Sequence, residues 1–223
     1  MKVAILIPAF NEEDTVIKVV DKVRQYGRPI VVDDCSTDGT YARCISERVD
    51  VVHHRVNLGY DSALQSGFER ASELGMDIVI TFDADGQHSA SALKKVLELL
   101  IGDEVEMVLG VRTSGPARIS EVIFNLYVKL RFGVDDILCG LKGYKMKLYE
   151  VHGRFDGVNS IGTELALASL RRGVVFQQIQ VPTFARVEGD TRFGGLIRGN
   201  GRIFRAFFQA ILEDFRNIGM RDE

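Results

Sequence analysis

Cysteine, long apolar runs and excess positive charge are all scarce in this sequence of 223 residues. Its three cysteines, Cys35, Cys44 and Cys139, have no paired spacing, which favours reduced thiols in a cytoplasmic protein over a disulfide framework or a zinc site. No apolar segment approaches the roughly 20 residues that span a bilayer, so any work at a membrane is expected at its surface or through a partner. The net charge of −3 argues against bulk nucleic-acid binding.

The sequence does contain enough apolar material for one substantial core. Apolar residues make up 46% of the chain, and neither an internal repeat nor a low-complexity linker divides it. The opening segment MKVAILIPAFNEE is too short for the full pattern of a signal peptide and is interpreted as a first strand. We therefore expect a single domain over residues 1–223, with two unlike halves, 1–112 and 113–223.

Strand and helix patterns alternate over residues 1–112. Apolar runs predict five strands, within KVAILIP, PIVVDD, DVVHH, DIVITF and VEMVLGV. Helices are predicted between them. The first is predicted to be capped by Asn11 and to carry Val16, Val19, Val20 and Val23 along one side. This alternation favours an α/β fold with a mostly parallel sheet flanked by helices, in which ligands bind at the carboxyl ends of the strands.

The alternation breaks after residue 112. We expect a helix in ARISEVIFNLYVKLRFGV, an extended segment in DDILCGLKGYKM, a helix in GTELALASLRRG and a strand or hairpin in VVFQQIQVPTFARV. The segment EGDTRFGGLIRGNGR is predicted to be a glycine-rich, basic loop. The closing helix, IFRAFFQAILEDF, is predicted to carry six large apolar residues on one face, namely Phe204, Phe207, Phe208, Ile211, Leu212 and Phe215.

Polar side chains follow the predicted strands and would assemble one site. They are Asn11 and Glu12, Asp33 and Asp34, Asn57, Asp83 and Asp85, and Arg112. Asp83 and Asp85 stand two residues apart in DIVITFDADGQHS, so in an extended chain both carboxylates point the same way. Two like charges so close favour a cation between them, and oxygen ligands suit Mg²⁺ or Mn²⁺, with Gln87 as a further ligand. No role is assigned to His88.

Two other interpretations of the acid pair are open from the residues alone. Acidic residues after a strand are often turn or helix-capping residues. FDADGQ is also similar to the Asp-x-Asp-Gly nucleophile motif of haloacid-dehalogenase-type phosphatases, although that motif usually follows the first strand and has a hydroxyl residue in place of Gln87. A metal-dependent phosphatase is therefore the alternative from a different class.

Four segments in order, ILIPAFNEEDTV, IVVDDCSTDGT, NLGYDSALQSGF and FDADGQHSASALKKV, resemble family 2 glycosyltransferases of the GT-A fold. The resemblance is strongest to the branch of dolichyl-phosphate mannosyltransferases and related polyprenyl-phosphate sugar transferases, and it extends through DDILCGLKGYK and RVEGDTRFGG. It implies a Rossmann-like GT-A domain that moves a hexose, with inversion, from a nucleotide sugar of the GDP-mannose or UDP-glucose type. The implied acceptor is a polyprenyl or dolichyl phosphate, and the alternative is a saccharide hydroxyl in cell-surface polysaccharide synthesis.

The same resemblance implies roles for individual residues. Donor binding falls to Pro8, Ala9, Phe10, Glu12, Asp34, Asp83, Arg186 and Arg192, and binding of Mg²⁺ or Mn²⁺ to Asp83, Asp85 and Gln87. Arg112 and Arg118 would hold the acceptor phosphate. The catalytic set is Asp83, Asp85, Asp136, Glu164 and Arg192, in which Asp136 or Glu164 would be the general base for a hydroxyl acceptor. The implied location is the cytoplasm or the cytoplasmic face of a membrane, with a homodimer or a membrane-protein partner left open.

Overall fold

The computed structural model of the chain describes residues 1–84, 90–182 and 196–219, and a seven-stranded sheet runs through this described part. The strands are Val3–Ala9 (β1), Arg28–Asp33 (β2), Asp50–His53 (β3), Ile78–Thr81 (β4), Met107–Arg112 (β5), Lys142–Lys145 (β6) and Phe176–Val181 (β7). Their order across the sheet is β3-β2-β1-β4-β6-β5-β7, and β6 runs antiparallel to both of its neighbours. The other paired strands are parallel.

Helices cover both faces of this sheet. In the described residues they are Val16–Val23 (α1), Thr40–Ser46 (α2), Tyr60–Glu73 (α3), Ala90–Ile101 (α4), Ile119–Phe132 (α5), Met146–His152 (α6), Glu164–Arg171 (α7) and Leu196–Gly219 (α8). Side chains alternate along β1, so Leu6 enters one apolar core and Ile5 the other. The first core packs against α3 and α5 to α8, and the second against α1, α2 and α4. The predicted α/β sheet flanked by helices is confirmed.

The apolar sides predicted for the helices α1 and α3 are the sides that pack on the sheet. Along α1 the buried residues are Val16, Val19, Val20 and Val23, as predicted. Along α3 they include Leu64, Gly67, Phe68 and Ala71. Gly75 follows α3 with a left-handed φ of 62°, which suits glycine at a helix end.

The capping role predicted for Asn11 is wrong. Helix α1 begins at Val16, five residues after Asn11. Asn11 has a left-handed backbone (φ 53°), its N–H donates to Ser36 Oγ at 2.9 Å, and its Oδ1 accepts from the Thr37 N–H at 2.8 Å. The asparagine therefore ties the turn after β1 to the turn after β2, because these distant partners are available to it in the folded chain.

The second half departs from the sequence pattern in two places. The segment predicted as extended, DDILCGLKGYKM, contains only the four-residue strand β6, and α6 follows it directly. Of the predicted glycine-rich loop, residues 188–195 lie outside the described residues, and α8 begins at Leu196 and includes Gly199 and Gly201. Packing of α8 against α5 outweighs the low helix propensity of these glycines.

The buried face of α8 does not coincide with the predicted row of six large apolar residues, which are half-buried or exposed. Ile203, Ala206 and Ala210 are buried, whereas Phe208, Leu212 and Phe215 are mostly exposed. The small side chains of Ala206 and Ala210 let the helix backbone approach its neighbours, so the larger row is left outside. Among the described residues, no helix is both long enough and apolar enough to cross a membrane.

The strands of the parallel part end at one edge of the sheet. Thr81, the last residue of β4, pairs with Lys142, the first residue of the antiparallel strand β6. Residues that follow β1, β2, β4 and β5 therefore lie near the start of β6. This edge is the place where the sequence predicts a ligand site.

Candidate active site

Asp83 follows β4 by two residues and lies at the centre of this edge. The Tyr60 hydroxyl donates a hydrogen bond to Asp83 Oδ1 at 3.3 Å. On its other side the carboxylate lies against Gly140, where an added Cβ atom would come within 2.2 Å of Asp83 Oδ2. The Thr81 hydroxyl donates to the Gly140 carbonyl at 2.6 Å and holds this backbone in place. The strand and the glycine thus fix the direction of the Asp83 carboxylate.

The remaining predicted metal ligands, Asp85 and Gln87, lie outside the described residues, as does His88. Over residues 1–84, 90–182 and 196–219 there is no group of three or more His, Cys, Asp or Glu side chains that could hold a metal ion. Asp83 fits Mg²⁺ or Mn²⁺, because it is a hard oxygen donor that a glycine and a hydroxyl orient at a strand end. Its partners in a metal site stay a prediction.

The turn predicted to hold the nucleotide is tied to its neighbour by hydrogen bonds. The Glu12 N–H donates to Thr40 Oγ1 at 2.8 Å, and the Glu12 carboxylate accepts from the Thr15 hydroxyl at 2.7 Å. Ala9 is buried, whereas Pro8 and Phe10 are half-buried. The backbone of this turn is therefore ordered by the chain itself, and the side chains of Pro8 and Phe10 reach its surface. Contact with a nucleotide stays a prediction.

Asp34, predicted to contact the base or ribose, is buried and makes contacts inside the chain. Its carboxylate accepts from the backbone N–H groups of Leu58 and Gly59 at 2.8 Å and 2.7 Å. His54 Nδ1 lies 2.8 Å from the same carboxylate, and its Nε2 lies 3.0 Å from Ser66 Oγ. Asp34 therefore shapes the loop that leads into α3, and its contact with a base or ribose stays a prediction.

Arg112, at the end of β5, is bound to two buried carboxylates. Its Nε and Nη2 atoms lie 2.7 Å and 3.0 Å from the two carboxylate oxygens of Asp136, and Nη2 lies 3.0 Å from Glu121 Oε2. Burial disfavours both charges, but the Arg112 hydrogen bonds outweigh it and lower the pKa of Asp136. Burial acts likewise on Arg112, yet the hydrogen bonds and charges of its partners raise its pKa. The pair stays ionised at neutral pH.

Arg118 approaches the same glutamate from the start of α5. Its Nη1 lies 3.4 Å from Glu121 Oε1, and its guanidinium group packs on Gly199 of α8. The two arginines predicted to hold an acceptor phosphate, Arg112 and Arg118, are thus brought together around Glu121. Arg112 also belongs to an internal ion pair that the sequence pattern did not reveal. Contact with an acceptor stays a prediction for both.

Glu164 begins α7 and closes the loop before it. Its Oε1 lies 3.2 Å from His152 Nε2 and accepts from Arg154 Nε at 2.5 Å, while Oε2 accepts from the Gly157 N–H at 2.7 Å. Burial opposes ionisation, but these hydrogen bonds and the charge of Arg154 outweigh it and lower the pKa of Glu164 to about 2. Such a weak base does not suit proton abstraction near neutral pH.

Asp136 and Glu164, the two predicted bases, are both in surroundings that argue against that role. Each is buried, each accepts several hydrogen bonds, and the pKa of each lies below its usual range. The same features suit structural carboxylates that hold a turn and an arginine in place. The structure does not support a hydroxyl acceptor that depends on either residue.

Replacing Glu164 with glutamine tests this assignment. At pH 7 we expect the variant to lose about 2–3 kcal/mol of unfolding free energy, because the folded chain favours the ionised carboxylate. The folded-state pKa is lowered from 4.5 to about 2, so this stabilisation is present above pH 4.5 and is lost as the pH falls towards 2. Urea unfolding between pH 4 and pH 7 measures the gap between wild type and variant, which should narrow on acidification.

The matched control is the exposed Glu150, whose change to glutamine should leave the unfolding free energy unchanged. The turnover number of Glu164→Gln at pH 7 should fall less than about tenfold, whereas removal of a general base costs about 10²–10⁴ in rate. A loss of activity in that range with unchanged stability would make Glu164 the base after all.

Lys142 and Tyr60 belong to the site and were not predicted. Lys142 is buried at the start of β6, and its Nζ donates to the Gly162 carbonyl at 3.2 Å. Burial lowers the pKa of Lys142, and the nearby charges of Asp136 and Asp83 oppose that shift. Burial and Asp83 both raise the pKa of Tyr60, which keeps its proton as a hydrogen-bond donor. A lysine within the apolar segment LCGLKGY was the available signal for Lys142.

A half-buried aspartate, Asp61, lies beside Tyr60 at the start of α3. Its Oδ2 accepts from the Ile161 N–H at 3.3 Å, and its Oδ1 has no hydrogen-bond partner among the described residues. Burial, together with the negative charge of Asp156, raises its pKa to about 6. Asp61 is thus a titratable group beside Tyr60, the residue that contacts Asp83, and the strand pattern alone did not indicate it.

Arg186 and Arg192, predicted to hold the donor diphosphate, lie outside the described residues. Of the predicted site, the described structure brings together Asp83, the turn after β1 and Asp34 on one side, and Arg112, Arg118 and Asp136 on the other. Glu164 lies in a separate network with His152 and Arg154.

Comparison with known proteins identifies the family of this chain. The model of glycosyl transferase family 2 matches residues 4–149. An undecaprenyl-phosphate mannosyltransferase of Micrococcus luteus is 25% identical over 222 residues, which cover 89% of this chain and 90% of that protein. A UDP-N-acetylglucosamine–dolichyl-phosphate N-acetylglucosaminyltransferase of Methanococcus voltae is 36% identical over 132 residues, 50% of this chain and about half (52%) of that protein.

The solved structure of glucosyl-3-phosphoglycerate synthase from Mycobacterium tuberculosis, in complex with Mn²⁺ and UDP-glucose, has a TM-score of 0.74. It is 20% identical and covers 94% of this chain and 78% of that one, a likeness that concerns the fold. The fold is that of the GT-A glycosyltransferases. The chain belongs to glycosyl transferase family 2. The predicted family and enzyme class are thereby confirmed.

Proposed function

We propose that the chain transfers a hexose from a nucleotide sugar, of the GDP-mannose or UDP-glucose type, to a polyprenyl or dolichyl phosphate, with inversion. One observation supports the nucleotide-sugar donor in this proposal. It is the oriented Asp83 carboxylate at the end of the central strand β4, beside the turns after β1 and β2. Parallel α/β sheets bind nucleotides at this edge. The names of the two curated relatives, both lipid-phosphate sugar transferases, support the acceptor class.

The surroundings of Asp136 and Glu164 also support a phosphate acceptor. A hydroxyl acceptor must lose a proton, and both predicted bases are engaged elsewhere with lowered pKa values. A phosphate acceptor is already an anion and needs no base. Arg118 and Arg112 lie together around Glu121 at one side of the site. Their guanidinium groups are the kind of cation that binds a phosphate.

In the proposed reaction an oxygen of the acceptor phosphate forms a bond to the anomeric carbon of the donor. The bond from that carbon to the nucleoside diphosphate breaks, and the diphosphate leaves with the electron pair. Tyr60 and Gly140 keep Asp83 directed towards the donor. Asp83, with Asp85 and Gln87, would hold Mg²⁺ or Mn²⁺, and the bound ion supplies positive charge that stabilises the leaving diphosphate.

A donor and acceptor screen tests the proposal. The purified chain is incubated with Mn²⁺, one nucleotide sugar at a time, and either a polyprenyl phosphate or a free saccharide. We expect release of UDP or GDP with formation of a lipid-linked sugar, and loss of both products when EDTA removes the metal. Release of inorganic phosphate from a phosphomonoester, without turnover or binding of any nucleotide sugar, would instead favour the phosphatase class.

A further inference from the structure

Helix α5 presents a row of large apolar side chains to the outside. The row consists of Ile119, Val122, Ile123, Leu126 and Leu130. Ile119 and Leu130, at its two ends, are 75% and 80% exposed. The opposite side of the helix is also apolar, since Phe124 and Val128 are buried in the core. A helix that is apolar on both sides has a second face suited to an apolar environment.

Helix α8 lies against α5 and carries a second row. That row consists of Phe208, Leu212 and Phe215, each more than half exposed. Aromatic rings join the two helices, because Tyr127 and Phe207 have centroids 5.6 Å apart and Phe207 and Phe208 have centroids 5.5 Å apart. The two rows together are called the apolar face below.

Three exposed arginines border this face on α8. Arg202, Arg205 and Arg216 recur at helical spacing beside the row of Phe208, Leu212 and Phe215. None of the three forms an ion pair with a described residue. A large apolar row with a border of arginines is typical of helices that lie in a membrane interface.

The carboxylates of α5 and α8 already pair with other residues and not with these arginines. Glu121 is held by Arg112 at 3.0 Å, and Glu213 by Arg171 at 2.6 Å. Asp214 accepts from Arg171 and from Tyr127, each at 2.5 Å. Among the described residues of α5 and α8, a second copy of this chain would therefore bring apolar contacts but no carboxylate left over for these arginines. An anionic lipid surface offers both, because its acyl chains form an apolar layer and its headgroups carry negative charge.

We propose that the apolar face docks the chain on the surface of an anionic lipid membrane. The apolar rows would enter the boundary between headgroups and acyl chains, and the arginines would meet headgroup phosphates. This inference rests on the proposed function, in which the acceptor is a lipid phosphate, and names the surface that brings the site to that lipid.

One end of the apolar face leads to the candidate site. Where α5 and α8 begin, Ser120 Oγ donates to Asn200 Oδ1 at 2.5 Å. Arg118 lies between the helices at this end and shares Glu121 with Arg112 of the site. A chain docked on this face would hold Arg118 and Arg112 close to the headgroup layer, where an acceptor phosphate lies.

Vesicle sedimentation with the full chain tests the docking. Vesicles of phosphatidylcholine, with and without 30 mol% phosphatidylglycerol, contain neither acceptor nor donor, so the measurement does not depend on catalysis. We expect binding to the anionic vesicles, reduced about tenfold or more by the double change Leu126→Ser with Phe215→Ser. The double change Arg202→Glu with Arg205→Glu should remove the preference for anionic vesicles.

Matched controls carry equal changes on other surfaces. Ile45→Ser with Val151→Ser removes two similarly exposed apolar side chains, and Arg43→Glu with Arg172→Glu makes the same change of charge. Both controls should bind vesicles as the wild type does. Absence of vesicle binding, or equal losses in the controls, would overturn the docking while leaving nucleotide-sugar turnover to be judged separately. A lipid-free dimer that Leu126→Ser with Phe215→Ser converts to a monomer would make the face a subunit interface instead.

Discussion

Replacing Gly140 with alanine is expected to lower the rate of sugar transfer about 100-fold or more while the chain stays folded. An alanine Cβ at this position would lie 2.2 Å from Asp83 Oδ2 and 2.8 Å from its Cγ. The carboxylate would have to move by about 1 Å to regain van der Waals distance, and a misplacement of that size in a reacting site costs about 10² in rate.

The side chain of Asp83 is expected to yield rather than the backbone of Gly140. The Gly140 carbonyl is held by the Thr81 hydroxyl at 2.6 Å, and Lys142, two residues further on, is paired with β4. Asp83, by contrast, ends in a carboxylate that can turn about its own side-chain bonds. The loss should therefore fall on catalysis and donor binding, and the unfolding free energy should change little.

Steady-state kinetics with the nucleotide sugar and urea unfolding are measured together. Asp83→Asn should lose activity at least as severely, because the charge itself is removed. Gly201→Ala is the matched control, since an added Cβ there meets nothing within 4 Å. It should leave nucleotide-sugar turnover unchanged. Full activity in Gly140→Ala would show that the position of the Asp83 carboxylate does not matter, and the proposed donor site would fail with it.

The location of the site could be predicted from the sequence, because it depends on local pattern. Apolar runs that end in polar residues indicate parallel strands, and parallel strands end at one edge. Asp83, Asp34 and Arg112 were placed at this edge by that reasoning, and the structure confirms their place there. The roles of the charges could not be obtained in this way, because they depend on partners distant in the sequence.

Asp34 and Glu164 illustrate the difference. Nothing in IVVDDCS indicates that Asp34 accepts hydrogen bonds from a loop 24 residues later. Similarly, nothing in GTELALAS indicates that His152 and Arg154 converge on Glu164. An aspartate or glutamate at a strand or helix end can either face a ligand or hold a turn. The sequence is the same in both cases, and only the neighbours in space distinguish the two roles.

The orientation of α8 shows a related limit. Its sequence contains a row of large apolar residues and a row of smaller ones, both at helical spacing. Hydrophobicity favours the larger row as the core face, whereas close packing favours Ala206 and Ala210. Of the six large apolar residues predicted on one face, Phe208, Leu212 and Phe215 are exposed beside Arg202 and Arg205, whereas Phe207 packs on the core.

Replacing Arg112 with methionine is expected to lower the unfolding free energy by about 3–5 kcal/mol, since it leaves buried carboxylates without their partner. Arg112 contacts Asp136 at 2.7 Å and Glu121 at 3.0 Å, and both carboxylates are almost fully enclosed. Arg112→Lys should lose less but still measurably, because an ammonium group cannot reproduce the paired hydrogen bonds of guanidinium to Asp136. Urea unfolding at pH 7 measures each loss.

The double variant Arg112→Met with Asp136→Leu should recover part of the lost unfolding free energy. It removes one of the two buried carboxylates that Arg112→Met alone leaves without a partner. Arg28→Met is the matched control: Arg28 also forms a short ion pair, 2.6 Å to Asp50, but about half of its side chain is exposed. Exposed pairs contribute at most about 1 kcal/mol, so this variant should remain close to wild type. A different outcome is that Arg112→Met is as stable as Arg28→Met but has a raised KM for the lipid phosphate. Arg112 would then act mainly by binding the acceptor and not by stabilising the fold. Retained stability would then assign its contacts with Asp136 and Glu121 to holding the guanidinium in place for the acceptor.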